Sequence, residues 1–443
     1  MRLGAAFRET MLGGRPQSVE GLAGELTAKV ILECCEKAGY RDQRRRKLPV
    51  EVLVWLVIGM SLFRDRCIEA VAAHLHLWKG PKPPTDGALA QRRQVVGPEP
   101  LHQIFHHTGQ EWALASARQH AWRGLALFGV DGVCLRVADT EENEDHFGRP
   151  PSPRSKNQSG YPQLRLTGLM ALRSHLLVGV EFGPYRAGET NLAKKLWPLL
   201  IDHSLVIIDK GFIDYGLFHR LLRSGVDRHL LVRARKNAKW EVIQRLGPGD
   251  LLVDVSLSAK LRREDPTLPE KLRLRAVRYQ RPGYSVQWLL TSLLDATRYP
   301  AAEVAALYHV RWEQELGWDE IKTHTLDQEE SLRSKSPRLV EQEVWGLCIA
   351  YNLVRRQMEK FAEEQGIEPN RVSYRNALLV ICNTCLCAAQ GAGGMRPLLD
   401  ALDADLKLLV LPERRSERAY PRHVKLKSKK YKRNPGRPQR VSA

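Results

Sequence analysis

The segment Tyr308-His309-Val310-Arg311-Trp312-Glu313-Gln314-Glu315-Leu316-Gly317-Trp318-Asp319-Glu320-Ile321-Lys322 carries the pattern Y-x2-R-x3-E-x6-K. Read as an α-helix, each residue turns the chain by about 100°. Tyr308, Arg311, Glu315 and Lys322 then fall at about 0°, 300°, 340° and 320°, inside one arc about 60° wide. A carboxylate flanked by two cations and a phenol suits a metal-dependent phosphodiester site. The carboxylate holds a divalent ion and the others grip backbone phosphates. An ordinary solvated helix face is also built from charges, so the surrounding sequence decides between the two.

The chain has 443 residues, with 69 Lys plus Arg against 50 Asp plus Glu, a formal charge of +19. That length allows two or three domains, and the basic excess favours a polyanionic partner, most often nucleic acid. The excess is uneven: from Leu411 onward there are 12 Lys/Arg and two Glu, a net of +10. The longest apolar run, Val52 to Met60, falls far short of the roughly 20 residues that span a bilayer. The N-terminus lacks the apolar core of a secretory signal. Eight Cys show no spaced disulfide framework. Cys382, Cys385 and Cys387 form a single CxxC-type cluster, which reads as reduced thiols in an apolar helix ahead of zinc. The expected compartment is the reducing cytoplasm.

Residues up to about His120 read as helical. Leu48-Pro49-Val50-Glu51 opens an apolar helix through Phe63, with Pro near the start, where its missing N–H costs least. A second helix runs from Ile68 through Leu77. After the Gly80-Pro81-Lys82-Pro83-Pro84 turn, Thr85 or Asp86 caps a helix over Ala88–Val95. Its Arg92 and Arg93 are candidates to enter a DNA groove; an ordinary polar face is the equal alternative. From Gly124 the pattern changes to short apolar runs of strand length. Ala126–Val130 is one such run, ending at Asp131-Gly132, and Val133–Val137 continues. Strands over Leu164–Leu172 and Leu176–Phe182 follow. Next come a helix over Glu189–Leu200, a buried strand Leu205–Ile208 ending at Asp209, a helix Tyr215–Leu222 and a strand His229–Arg233. Three strands followed by alternating helix and strand indicate an α/β layer fold. Residues 236–293 read as a basic β insertion with turns such as Arg281-Pro282-Gly283. The expected organisation is a helical DNA-binding domain over 1–120 and an α/β catalytic core over 121–335. C-terminal helices over 336–410 and a basic disordered tail over 411–443 complete it.

Asp131 and Asp209 each follow an expected central strand, and Glu315 lies on a helix after a large insertion. Open α/β sheets gather ligands beyond the carboxyl ends of their strands, so these acidic residues can converge. Two carboxylates bridging a metal pair, completed by a third, permit phosphodiester chemistry, and Mg2+ or Mn2+ suits an all-oxygen site. Asp319, one turn past Glu315, is close enough to the same stripe that spacing alone leaves it open as a ligand.

These motifs are Val130-Asp131-Gly132, Ile208-Asp209-Lys210-Gly211-Phe212 and the Tyr308, Arg311, Glu315, Lys322 signature. Together they resemble the insertion-sequence-four family of bacterial DDE transposases, over about Arg44 to Leu399. Arg44-Arg45-Arg46-Lys47-Leu48-Pro49 resembles the domain ahead of the family's core. Leu332-Arg333-Ser334-Lys335-Ser336-Pro337 resembles the stretch after its signature helix. The resemblance implies an RNase H-like catalytic core with a β-rich insertion. It also implies Asp131, Asp209 and Glu315 as catalytic and metal-binding residues, two Mg2+ (or Mn2+) ions, and Tyr308, Arg311 and Lys322 as DNA contacts. Lys210 stands where the family often has Arg, keeping the charge without the bidentate fork. Trp288, near the end of the insertion, matches the place of a tryptophan that stacks on a flipped base in relatives cutting through a hairpin; a core Trp in a strand is its alternative. The implied function is cleavage and strand transfer at the terminal inverted repeats of a mobile element, by a homodimer on double-stranded DNA at the bacterial nucleoid, without membrane. A structure-selective nuclease or resolvase, or a non-catalytic transposase-derived DNA-binding protein, would share much of this sequence. Asn434-Pro435-Gly436-Arg437-Pro438 resembles a minor-groove hook core; non-specific phosphate attraction is the favoured reading of the tail.

Overall fold

The computed structural model describes residues 22, 24–42, 48–75, 77, 84–151, 160–280, 285–327, 331–390 and 409–412. The Arg44–Lys47 run, most of the Gly80–Pro84 turn, the Arg281–Gly283 turn and the tail beyond Pro412 lie outside the described residues.

Helices α1 (Ala28–Lys37), α2 (Val50–Leu62), α3 (Ile68–His74), α4 (Asp86–Val96) and α5 (Glu99–Thr108) come first. Of the two candidate caps, Thr85 and Asp86, Thr85 caps α4 by accepting from the Ala88 N–H. Helix α3 stops at His74, short of the expected Leu77. Helix α5 runs through a π turn (Gly109–Ala113) into α6 (Leu114–Gln119).

The α/β core follows: β1 (Ala126–Arg136), α7 (Glu141–Phe147), β2 (Gln163–Ala171), β3 (Leu177–Pro184), α8 (Glu189–Leu196), β4 (Ser204–Ile208), α9 (Tyr215–Arg223) and β5 (Arg228–Arg233). Helix α8 yields at Trp197 to a 3-10 turn containing Pro198, so the expected helix to Leu200 ends early. The insertion contributes β6 (Glu241–Gly247), β7 (Asp250–Ser256), α10 (Ala259–Glu264), β8 (Lys271–Tyr279) and β9 (Gln287–Thr291). It extends the core's own sheet: the nine strands run in the order β3-β2-β1-β4-β5-β9-β8-β7-β6. Strands β1, β4 and β5 are mutually parallel, and β9 joins β5 antiparallel.

Strand β1 is one unbroken element, which corrects the reading of two runs parted at Asp131-Gly132. Its antiparallel register with β2 passes straight through Asp131↔Gly168 and Gly132↔Thr167. The ladder to β2 satisfies the backbone that the turn-like Asp-Gly pair would otherwise bend.

Strand β4 is buried at every position, as a central parallel strand covered on both faces should be. Val206 and Ile208 join the larger apolar core, with Phe128 and Val130. Leu205 and Ile207 join a second core, with Leu127, Leu231 and Leu289. That second face is covered by α11 (Ala301–Leu307) and by Tyr308.

After α12 (Trp312–Asp319) the chain enters α13 (Pro337–Gln365) and α14 (Tyr374–Gln390). Gly366 ends α13 in the left-handed conformation at φ 66, where a side chain would be strained. Helix α13 packs against α2 and α5. A buried ion pair, Arg64 to Glu343 at 2.8 Å, ties the first helical block to the last. The N-terminal helices and α13 therefore share one apolar core with the sheet.

Candidate active site

The site grows from strand register. Val130 pairs with Ile208 across the parallel β1–β4 ladder, so the next residues, Asp131 and Asp209, stand side by side. Adjacent strands are about 4.8 Å apart, and alternation puts both side chains on the face shared by Leu127, Leu205 and Ile207. Asp209 still has extended backbone (φ −78, ψ 158) before the 3-10 turn Lys210–Phe212. Asp131 thus lies inside its strand and Asp209 just past one.

The signature segment crosses this same face. Two glycines admit it: a Cβ at Gly129 would collide with Gln314, and one at Gly168 with Trp318. Gln314 donates to the Gly168 carbonyl at 2.9 Å, fixing α12 over β1 and β2.

The segment is not the uniform α-helix expected. Tyr308–Arg311 is a 3-10 turn, Trp312–Asp319 is α-helical, and Glu320–Thr325 is a π turn. In 3-10 geometry residues three apart eclipse, so Tyr308 and Arg311 align directly rather than lying about 60° apart. Arg311 then meets Glu315 at 2.7 Å, one α turn on. On the other side Arg233, from β5, approaches Asp209 at 3.9 Å.

Burial pushes the Asp131 carboxyl up to about 6, reinforced by the negative charges of Glu189 and Glu315. The Gly132 N–H, donated at 2.9 Å, and the Arg311 guanidinium oppose that rise. Burial likewise raises the Tyr308 phenol, with Asp209 adding to it and Arg311 and Arg233 opposing. Arg311 is therefore within electrostatic reach of Asp131, Asp209, Glu315 and Tyr308. Asp319, the alternative acidic residue, is exposed and accepts from Thr323 at 2.7 Å.

The remaining sequence candidates divide. Lys210 is exposed beside Asp209. Lys322, on the π turn, reaches the neighbourhood of Cys134 on β1, with Arg165 and Glu189. Trp288 is half-buried in β9, edge-on to Trp240 with ring centroids 6.0 Å apart.

Arg92 and Arg93 are a correction. Arg93 is 2% exposed. It donates to Gln342 at 2.8 Å and to Ser334 at 3.0 Å, knitting α4 to α13. Arg92 is paired with Asp42 and donates to the Leu48 carbonyl. Their side chains hold the helical block together instead of facing a groove.

Sequence spacing missed three charged neighbours: Arg233, Glu189 and Arg165, the last two joined as an ion pair beside Gly132. Each comes from a different element, so no local pattern announces it. Trp312 was passed over as well; it is 46% exposed, with the Arg311 guanidinium 5.1 Å above its ring.

The sequence has known counterparts. Residues 123–353 match the family described as Transposase DDE domain, and residues 16–106 match Insertion element 4 transposase N-terminal. The chain belongs to the insertion element 4 family of DDE transposases. It is 38% identical over 426 residues to Transposase InsG for insertion sequence element IS4 of Escherichia coli K12, covering 95% of each chain. It is also 32% identical over 233 residues to Putative transposase InsZ of the same strain, covering 52% of this chain and 76% of that one. A cryo-EM structure of the piggyBac transposase synaptic complex with hairpin DNA aligns at a TM-score of 0.40 and 12% identity, over 93% of this chain and 86% of that one.

The transposase accordingly has an RNase H-like α/β core, enlarged by a β insertion and flanked by helices, and it is a DNA-cleaving and strand-transferring enzyme. Among the described residues no helix is long and apolar enough to cross a membrane.

Transposases with a DDE domain depend on divalent metal. The residues here fit such an ion in kind: Asp131 and Asp209 are hard oxygen donors on neighbouring strands. Burial, which is the main cause that lifts Asp131, and the like charges of Glu189 and Glu315 both disfavour its carboxylate, a cost that a bound cation would relieve. Among the described residues, no three His, Cys, Asp or Glu side chains already form a closed ligand set. Glu315 is turned to Arg311 instead.

Proposed function

We propose that this transposase binds the terminal inverted repeats of its own insertion sequence and cuts and rejoins them by a cut-and-paste route through a DNA hairpin. The observation that carries the reading is the in-register placement of Asp131 beside Asp209, under a helix bearing Glu315 and its cations. Asp131 and Asp209 would hold Mg2+ or Mn2+ between the two strands, and Glu315 would complete the set on leaving Arg311. Two such ions, when bound, supply Lewis-acid stabilisation of the attacking and leaving oxygens.

The chain's own residues do the positioning. Arg311, once parted from Glu315, is placed to take a terminal phosphate with its planar fork. Lys322 and Lys210 would add point charges, and Tyr308 is eclipsed with Arg311 one 3-10 turn earlier. Trp288 would take the flipped base, its indole compensating a few kcal/mol of lost stacking. Successive cuts reuse one site without a covalent protein intermediate, so catalysis is positioning plus charge neutralisation. The helical region 1–120 would recognise the repeat, and the basic tail over 411–443 would add sequence-independent attraction. Joining two ends in one complex calls for a homodimer on the DNA.

The test is incubation of purified protein with its own element ends in Mg2+, resolving nicked, hairpin and joined products. Asp131→Ala, Asp209→Ala and Glu315→Ala should each lower cutting at least about a hundredfold while leaving end binding intact. Undiminished cutting by any of the three removes that residue from the site.

A further inference from the structure

The inner side of the signature helix carries a second set of charges that the reaction above does not use. Glu313 and Glu320 point away from the DNA-facing stripe, toward the β2–β3 turn and α13. His175 Nε2 donates to Glu313 at 2.9 Å. Arg355, 1% exposed on α13, grips Glu320 through Nε at 2.9 Å and through Nη2. The same Nη2 lies against His175 Nδ1, and a Glu320 oxygen stands 3.4 Å from that nitrogen. Tyr351 donates its hydroxyl to Glu320 at 2.8 Å. Below them Tyr374 and Thr325 share a hydrogen bond of 2.7 Å, and Arg355 stacks on the Tyr374 ring at 5.5 Å.

Two irregularities of the backbone sit on this cluster. His175 has φ 61, in the left-handed region that non-glycine residues adopt uncommonly. Glu320 begins the π turn that carries Lys322, and Leu326 closes that turn by donating to the Ile321 carbonyl at 2.8 Å. A π turn inside a helix changes the angular offset of everything after it. Glu313 and Glu320 bracket Glu315, so their partners fix the helix's rotation on both sides of it.

We propose that His175, Arg355 and Tyr351 are positioning residues for the transposase. By clamping Glu313 and Glu320 they set the rotation of α12 and the π turn, so that Glu315 faces Asp131 and Asp209 while Lys322 faces the DNA. The clamp acts through the helix and touches neither metal nor DNA. The inference rests on the proposed metal-holding role of Glu315, and it goes further in assigning the residues that aim that carboxylate.

The experiment uses the full chain bound to an end duplex. Mn2+ binding is titrated by electron paramagnetic resonance, and the Mg2+ concentration giving half-maximal nicking is measured alongside. His175→Asn and Arg355→Lys should each raise the half-saturating metal concentration at least about tenfold, as losses outside the ligand shell do elsewhere. End affinity by gel shift should stay unchanged. Tyr351→Phe removes one hydroxyl at constant shape and should give a smaller shift in the same direction. It decides the matter if the other two fail to fold. A lowered melting temperature with wild-type metal half-saturation in the folded variants would mean the cluster only stabilises the protein, and would overturn the proposal. A wild-type chain that binds Mn2+ but makes no cut would sink the proposed function alone, because the binding titration still reads the clamp.

Discussion

The two sides of the signature helix use the same chemical vocabulary for opposite purposes. On the outer side Arg311 and Glu315 form an i,i+4 pair whose side chains are 15% and 36% exposed. On the inner side Arg355 and Glu320 form a pair whose side chains are 1% and 14% exposed, joined to His175 and Tyr351. The Glu315 end of the first pair is open to water and salt, which screen it, while its Arg311 end is largely covered. That pair can open more readily than a buried one, which suits a carboxylate and a guanidinium that are to find new partners. A buried pair cannot open without stranding a charge where water cannot reach it. The outer pair is therefore suited to change and the inner one to stay fixed.

The sharpest way to break this comparison is to neutralise one carboxylate on each side. Glu320→Gln strands the Arg355 charge and should cost about 3–5 kcal/mol of stability, read by chemical denaturation at pH 7. Glu315→Gln, with its end of the pair open to water, should cost less than Glu320→Gln in the same assay while removing metal-dependent cutting. Equal losses of stability would show that the two faces do not differ in the way described. Acid supplies a second reading of Glu320→Gln. Arg355 and His175 overcome the burial cost and hold the Glu320 carboxyl down at about 2. Its stabilising contribution is then full above the ordinary carboxylate pKa of about 4.3. It is lost as pH falls from there through 2. The wild type should weaken across that window more steeply than the variant.

Asp131 has the opposite sign. Its carboxyl is raised to about 6, so without metal the folded state binds this proton more tightly than the unfolded chain does. The group costs stability as pH rises from about 4 to 6, and the cost stays constant above. Asp131→Asn should therefore stabilise the metal-free protein by about 1–3 kcal/mol at pH 8, with the gain vanishing near pH 4. No gain in melting temperature at pH 8 would mean that the carboxylate is better solvated than its burial implies. The smallest expected effect on the fold belongs to Trp288, half-buried at the margin of the insertion. Trp288→Ala should spare first-strand nicking and reduce hairpin formation. Equal loss of both steps on a gel would assign the indole to packing against Trp240.

How much of this was legible beforehand depended on whether partners are neighbours in sequence. The strand Leu205–Ile208, a cap at Thr85 or Asp86 and the alternation of strands with helices follow from local patterns, because apolar alternation and cap chemistry act over a few residues. Asp131 and Asp209 were legible as strand-end acids, although β1 continues past Asp131 because β2 pairs with it there. Arg92 and Arg93 misled because a polar helix face has the same letters whether it meets DNA or another helix. Gln342 and Ser334, which hold Arg93 in the core, lie more than two hundred residues away, and Asp42, the partner of Arg92, lies 50 away.

By itself the sequence determined the candidates: three carboxylates, two cations and a phenol at spacings that resemble those of DDE transposases. It determined this because spacing along a helix or strand is fixed by backbone geometry within a few residues. Only the tertiary structure decided that Asp131 and Asp209 share a register and that the segment breaks into 3-10, α and π turns. It alone set a buried cluster from the β2–β3 turn and α13 behind the helix. Those choices depend on which distant surfaces come into contact once apolar area is buried, and no local stretch of chain encodes its partner.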